Sequence, residues 1–328
     1  MKYLFFDIEC SNSFNKSPKM CEFGYVLVDE NFKIIEKDGI PMSPGSKRSE
    51  NRFDESIYKR EPEFQWAYDT DYYFECPEFS EYYPLIKRLF GMKDVVIFGY
   101  SVDNDIRYLD NAFQRYELEP VEYKAYDIQK MMKYYSEKKE KFMSLGDAFE
   151  KLCSKLERTQ YNLDKHFSRD DAFMTMIVLK KMCENLEVTP LEMIELCDNC
   201  GFDSKTYLLD YHTRQNEKTE HNPKLKAQAL CNDFYKECAK MLENNEATGK
   251  IVTLSAKIKK DLNKVEALLN LIKERGFVGI NSISGSNYLI TLDEEDSKRI
   301  RAELKQPYSG TIITIEDFEN LKVKVGQN

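Results

Sequence analysis

The sequence has no long apolar run. No stretch of its 328 residues approaches the roughly 20 apolar residues that a membrane-spanning helix needs. Met1-Lys2 leads directly into a strand-like segment without the pattern of a signal peptide. The nine scattered cysteines leave one unpaired, which fits reduced thiols and excludes a complete disulfide framework. We therefore expect a cytoplasmic protein with no membrane partner.

An excess of positive charge is also missing. The chain has 57 acidic and 48 basic residues, a net charge of −9, which excludes broad, non-specific adhesion to nucleic acid. It does not exclude an enzyme whose site holds its own cations. The hydrophobic content of 42% and charged content of 32% describe a soluble globular protein. The length favours two domains and a connector.

Two carboxylates interrupt the first predicted strand, residues 2–9, within the stretch Leu4 to Cys10. Asp7 and Glu9 are two residues apart, so both project from one face of that strand. The flanking Phe5, Phe6 and Ile8 indicate that the strand is buried, which argues against a solvated face. Two buried like charges are unfavourable unless something neutralises them, and a divalent metal ion is a suitable counter-charge.

The residues that follow predict a mixed α/β sheet covered by helices. Segment 43–78 is irregular but rich in aromatics, which suits a hydrophobic cover for the sheet better than a base-stacking surface. The predicted strands are 2–9, 22–28, 32–42, 94–98 and 123–128, and the predicted helices are 80–90, 103–116, 128–137, 144–156 and 168–185.

The remainder of the chain predicts a second, smaller α/β unit. From 189 to 245 the pattern is helical, with no strand. The later strands are expected at 250–255, 287–292 and 311–315, and the helices at 260–275, 296–304 and 316–321.

Further acidic residues occur at two predicted helix starts. Asp105 follows a short apolar strand, at the sheet edge where ligands gather in α/β folds. Asp171 lies in the first turn of another helix, and His166 precedes it. Each has a plainer explanation: Asp103 or Asp105 can simply favour a helix start, Ser168 and Asp171 fit a capping box, and His166 can be an ordinary loop residue.

Taken together, these residues resemble the DEDDh branch of the 3′–5′ exonuclease superfamily, which includes replicase proofreading subunits, ribonuclease T and oligoribonuclease. The resemblance covers residues 1–184, with Cys10 where Thr is usual and Tyr100-Ser101 where His-Asn is common. The three motifs stand in family order: Asp7-Ile8-Glu9, then Asp105 with Tyr108 and Leu109, then His166 with Asp171-Ala172.

The resemblance implies a ribonuclease H-like fold and a two-metal phosphodiesterase. Asp7 would bridge two Mg²⁺ or Mn²⁺ ions, Glu9 and Asp171 would help hold the ion that carries the water, and Asp105 would serve the other. His166 would be the general base, since imidazole titrates near neutral pH. The implied substrate is the 3′ end of a single-stranded nucleic acid, with DNA favoured over RNA, and the products are nucleoside monophosphates.

The end of the chain resembles a BRCT domain. We expect a helical connector at 185–246 and a BRCT-like domain at 247–328 that takes a protein partner or a DNA end. Ser255 and Lys298 fall near the phosphate-contacting positions of that family, Ala256 replaces its usual Gly, and Phe318 stands near its usual Trp. The plainer alternative is a small unit that packs on the nuclease or mediates dimerisation.

Two other functional classes compete with the enzyme. One is an adaptor whose exonuclease fold is inactive and whose last domain binds a partner; the intact set of five site residues argues against it. The other is a zinc-dependent structural protein built on Cys197 and Cys200. That pair needs two further ligands, and the wide spacing of His212 and His221 favours plain thiols instead.

Overall fold

A computed structural model describes residues 1–11, 18–45, 66–136, 142–163, 166–244, 250–304 and 307–321. The chain forms two compact units, Met1–Asp210 and Tyr211–Asn328. No helix in these ranges is both long and apolar enough to cross a membrane. Several basic and aromatic residues of segment 43–78 lie outside the described residues: Lys47, Arg48, Arg52, Phe53, Tyr58, Lys59, Arg60 and Phe64.

The first unit surrounds one sheet. Its elements are β1 (Lys2–Ser11), β2 (Lys19–Asp29), β3 (Ile34–Pro41), α1 (Thr70–Glu75), α2 (Phe79–Phe90), β4 (Val95–Gly99), α3 (Val102–Arg115), β5 (Lys124–Asp127), α4 (Ile128–Tyr135), α5 (Leu145–Leu152), α6 (Lys155–Tyr161), α7 (Ser168–Leu186), α8 (Pro190–Leu196), β6 (Gly201–Asp203) and α9 (Ser204–Glu220), the last of which crosses the boundary between the units.

The strand order is β3-β2-β1-β4-β5-β6. β1, β4 and β5 are parallel, whereas β2 and β3 form the antiparallel meander expected from the sequence. This mixed sheet flanked by helices confirms the predicted α/β fold class. The expectation of no strand between 189 and 245 was wrong, because β6 pairs antiparallel with β5.

Side chains alternate between the two faces of β1, so the core of the first unit has two layers, one on each side of the sheet. Phe5 lies in the layer that α4 and α7 cover, and Phe6 lies in the layer beneath α2 and α3. Asp7 and Glu9 share the face of Phe5 by their spacing. β1 therefore presents both carboxylates toward the side of the sheet on which α7 packs.

The helix predicted at 144–156 is two helices. α5 ends at Leu152, and Ser154 caps the start of α6. Its side chain accepts from the Glu157 N–H, while the Glu157 carboxylate accepts from the Ser154 N–H. This reciprocal capping box stabilises a new helix start within the apolar pattern.

The second unit contains a parallel four-stranded sheet. The strand order is β10-β9-β7-β8, and all three strand pairs are parallel. Helix α10 lies within the predicted connector 185–246, yet its Cys231, Phe234 and Cys238 are buried in the core of this unit. The elements are α10 (Pro223–Glu243), β7 (Ile251–Leu254), a 3₁₀ turn (Ile258–Lys260), α11 (Leu262–Glu274), β8 (Val278–Gly279), β9 (Tyr288–Thr291), α12 (Glu294–Glu303), β10 (Thr311–Thr314) and α13 (Ile315–Glu319).

All nine cysteines are free thiols, and eight of them are buried, with only Cys76 partly exposed. Cys197 ends α8 and shares a hydrogen bond with Cys200, which lowers the pKa of Cys197. Among the described residues, no third metal-type ligand joins this pair.

Candidate active site

The site lies where the start of α7 meets β1. Ligand atoms of Glu9, His166 and Asp171 lie within 4.8 Å of one another, and no other such cluster occurs among the residues that the structure describes. His166 Nδ1 lies 3.9 Å from Glu9 Oε1. The backbone N–H of His166 donates to Asp171 Oδ2 at 3.1 Å. The structure thus brings together one residue of the first motif and both residues of the third.

The carboxylates of Asp7 and Asp105 both interact electrostatically with Glu9. Burial, followed by the charges of Glu9 and Glu22, raises the pKa of Asp7 well above its ordinary value. Burial and then the charges of Asp7 and Glu9 do the same for Asp105. The Asp171 pKa is raised by burial, then by Asp7 and Glu9, and a charged His166 opposes that shift. These carboxylates are unfavourable together unless protons or a cation neutralise them.

The start of α3 orients Asp105. Ser101 precedes the helix in a left-handed conformation with φ 61°, and its N–H donates to Asp127 Oδ1 at 3.0 Å. Asp105 is 4% exposed, whereas the Asp103 side chain is 39% exposed and pairs with Arg107. The residue predicted to serve the site therefore points inward, and its competitor reaches solvent.

Asp127 was not predicted from sequence. It caps α4 by accepting from the Gln129 N–H, and the same oxygen accepts from Ser101. Burial raises its pKa to about 6, against these two hydrogen bonds. An Asp at the junction of a strand and a helix is a common N-cap, so its sequence signal was only local.

The start of α7 differs from the capping box suggested by the sequence. Phe167 is the N-cap, and its carbonyl accepts from the Asp171 N–H. Ser168 is the first helical residue, and its hydroxyl donates to Glu22 rather than capping the helix. The Asp171 side chain is therefore not explained by that box.

Glu22 is a second residue that sequence reasoning missed. It is fully buried on β2, directly opposite Glu9 in the β1–β2 register. Tyr73, Ser168 Oγ and the Ser168 N–H all donate to its carboxylate. Burial raises the pKa of Glu22, and those hydrogen bonds oppose the shift.

The described aromatic residues of segment 43–78 pack on one another and on Phe167, the residue that precedes α7. Tyr73 is fully buried, and Tyr68 lies edge-on to both Tyr73 and Phe167, with ring centroids 5.7 and 5.6 Å apart. Trp66 is edge-on to Tyr73 at 6.3 Å. These contacts favour the expected hydrophobic cover.

Comparisons with known proteins give structural likenesses of low identity. No family model and no curated protein matches the sequence. The chain is similar to Escherichia coli exonuclease I in complex with a dA16 oligonucleotide, at 14% identity and a TM-score of 0.42 over 59% of this chain and 42% of that one. It thus spans less than half of exonuclease I.

Two further solved structures are similar over 56% of the chain. One is the nuclease domain of 3′hExo, a DEDDh family member bound to rAMP, at 13% identity, a TM-score of 0.43 and 91% of that chain. The other is cell-death related nuclease 4, at 14% identity, a TM-score of 0.40 and 64% of that chain. At these values the likenesses do not assign an activity.

Proposed function

We propose that the protein is a metal-dependent 3′–5′ exonuclease of the DEDDh family that releases nucleoside monophosphates from single-stranded ends. The observation that carries this proposal is the Glu9, His166 and Asp171 cluster, electrostatically coupled to Asp7 and Asp105. Carboxylate oxygens are the ligands preferred by hard divalent ions. Burial and mutual repulsion raise the pKa values of Asp7, Asp105 and Asp171, and a bound cation would relieve that repulsion, which supports the proposal.

The proposed roles follow from the donor set. Asp7, Glu9, Asp105 and Asp171 would hold two Mg²⁺ or Mn²⁺ ions. Bound ions of this kind generate a nucleophile from water at neutral pH and stabilise the charge of the attacking and leaving oxygens. An imidazole nitrogen of His166 takes the proton of the attacking water. The backbone N–H of His166 donates to Asp171 Oδ2, so this hydrogen bond positions the proposed base and the proposed ligand relative to each other.

The test is digestion of 5′-labelled single strands of DNA and RNA with the same sequence. We expect a ladder that shortens from the 3′ end with Mg²⁺ or Mn²⁺ and disappears with EDTA. DNA is expected to be cut faster than RNA. Absence of cleavage on both strands with both metals would refute the proposal and favour an inactive adaptor.

We also propose that the second unit is a BRCT-like module that binds a protein partner or a DNA end. The support is its parallel sheet, in which β7 lies between β8 and β9. Phe318, near the family's Trp position, is fully buried beside Phe277, at 5.5 Å between ring centroids.

The donors at the end of β7 and the start of α12 already have an acceptor within the unit. Ser255 Oγ donates to Asp296 Oδ2 at 2.6 Å, the Leu292 N–H donates to the same oxygen at 3.1 Å, and Arg299 pairs with Asp296 Oδ1 at 2.8 Å. Lys298, which the resemblance places near a phosphate-contacting position, is exposed. A carboxylate thus takes the donors that a phosphate would need, and we propose that partner binding there is phosphate-independent.

Asp296→Ala is expected to destabilise the second unit by about 2–4 kcal/mol, because it leaves buried donors without an acceptor. Chemical denaturation followed by a probe of the second unit measures this loss. The matched control is Glu295→Ala, an exposed residue on the same helical turn, which should change stability by less than about 0.5 kcal/mol. Equal stabilities of the two variants would contradict the prediction.

A further inference from the structure

Glu22 connects the β1–β2 strand pair of the site to α7, the helix that carries Asp171. Glu22 lies opposite Glu9, and Gly24 lies opposite Asp7. Ser168, which binds Glu22 through both its N–H at 3.0 Å and its hydroxyl at 2.8 Å, is three residues before Asp171. One carboxylate oxygen therefore fixes the first turn of α7 against β2.

Gly24 makes that contact sterically possible. A Cβ atom at Gly24 would lie 2.0 Å from the Ser168 carbonyl carbon and 2.2 Å from the Arg169 nitrogen. The backbone of α7 thus approaches β2 as closely as only glycine allows. The hydrogen bonds from Ser168 to Glu22 hold the start of α7 at this close contact with β2.

The other oxygen of Glu22 has a separate partner. Tyr73 Oη, on α1, donates to Glu22 Oε1 at 2.5 Å. Both oxygens of Glu22 are therefore engaged by protein donors.

We infer that Glu22 is a positioning residue, which sets the distance between the Asp171–His166 pair and the carboxylates of β1 by holding Ser168. It acts through hydrogen-bond geometry and not as a metal ligand. This inference rests on the proposed function, because the ions it would affect are those of the proposed site.

Two substitutions of Glu22 separate geometry from charge. Glu22→Met removes both acceptors at similar volume. Glu22→Gln keeps one acceptor oxygen for both Ser168 donors, and its amide can donate to the Tyr73 hydroxyl oxygen. If geometry matters, Glu22→Met should weaken Mn²⁺ binding by about 10–100-fold, and Glu22→Gln should stay within about threefold of wild type.

The experiment measures Mn²⁺ affinity without substrate by calorimetric titration, thermal unfolding of the same samples, and kcat and KM on a single-stranded oligonucleotide. kcat should fall with Mn²⁺ affinity in Glu22→Met, with little change in KM. Ser168→Ala, which keeps the N–H bond, should give a smaller loss of the same kind. It also replaces Glu22→Met if that variant does not fold.

One control excludes a general loss of stability. Leu89→Ala opens a cavity in α2, in the core layer on the other face of the sheet from the site. It should lower the unfolding temperature and leave Mn²⁺ affinity within about twofold. Mn²⁺ affinity unchanged in Glu22→Met would overturn the inference, and so would equal losses in Glu22→Met and Glu22→Gln, which would assign Glu22 a charge or ligand role.

The wild-type protein separates this inference from the proposed function. Mn²⁺ binding that depends on Glu22, without nucleic acid cleavage, would support the positioning role and refute the nuclease. Cleavage by wild type together with normal Mn²⁺ binding by Glu22→Met would do the reverse. A wild-type chain that binds no Mn²⁺ would overturn both.

Discussion

Asp105→Asn should lower the rate of cleavage by about 10²–10³-fold or more, the scale of loss when one strong electrostatic contact of a transition state is removed. The Asp105 carboxylate is buried and coupled to Asp7 and Glu9, so the amide removes a negative charge where the proposed ions need one. Cleavage of a labelled single strand under single-turnover conditions measures the effect.

The chain supplies a matched control two residues away. Asp103→Asn changes the same functional group on the same helical turn, but Asp103 is partly exposed and pairs with Arg107. Its activity should stay within about threefold of wild type, because screened surface pairs contribute little. Comparable losses in both variants would show that the helix start as a whole, and not one carboxylate, is required.

The same design applies to α7. Asp171→Asn should lower the rate of cleavage by about the same factor as Asp105→Asn. The control, Asp170→Asn, alters a neighbouring carboxylate that pairs with Lys37 and Arg169. Asp170 is 3% exposed, so its variant should lose stability while its folded fraction retains activity. Activity must therefore be normalised to the folded fraction.

Metal-free protein should become less stable as the pH rises from 5 to 8. The pKa values of Asp7, Asp105 and Asp171 are raised in the fold, mainly by burial, so the folded state holds protons that the unfolded state has released above about pH 4. Stability falls with pH wherever the folded state binds more protons. Thermal unfolding of the first unit in EDTA at pH 5, 6.5 and 8 measures this slope.

Saturating Mn²⁺ should remove most of that slope and raise stability by about 2.7 kcal/mol at a concentration of 100 times Kd. Asp105→Asn should flatten the slope in EDTA, because one buried charge is gone. Stability that rises with pH in EDTA would falsify the assignment of these carboxylates to one uncompensated cluster.

In the second unit, Asp296 contributes a pH dependence of stability that is opposite in sign to that of the carboxylates in the first unit. Burial alone would raise the pKa of Asp296, but hydrogen bonds from Ser255 and Arg299 bring it below its ordinary value. Its contribution is fully present above about pH 4 and is lost as the pH falls through the folded pKa. Measurements at pH 5 and above therefore leave this contribution intact.

The sequence could predict features that depend on near neighbours. Period-two spacing placed Asp7 and Glu9 on one face of a buried strand, and apolar strands followed by amphipathic helices predicted the sheet and its covering layers. The break at Ser154 was also readable, since Ser154 and Glu157 have the spacing of a capping box. β6 was missed because three residues carry too little periodicity to indicate a strand.

Glu22 could not be predicted in this way. It begins the predicted strand 22–28, where a lone carboxylate suggests a solvent-facing residue. Its partners, Tyr73 and Ser168, are 51 and 146 residues away in sequence. Its burial is favourable only because those distant donors meet at one point, and that meeting is a property of the tertiary fold.

The burial of eight of the nine cysteines makes thiol reactivity a measure of local unfolding in each unit. Only Cys76 is partly exposed in the native chain, one residue beyond α1, and the other eight thiols are buried in both units. Brief alkylation of native protein should thus modify one thiol at most, and each locally opened unit adds its own thiols. Mass spectrometry of the alkylated chain can then distinguish opening of the first unit, through Cys153 or Cys183, from opening of the second, through Cys231 or Cys238.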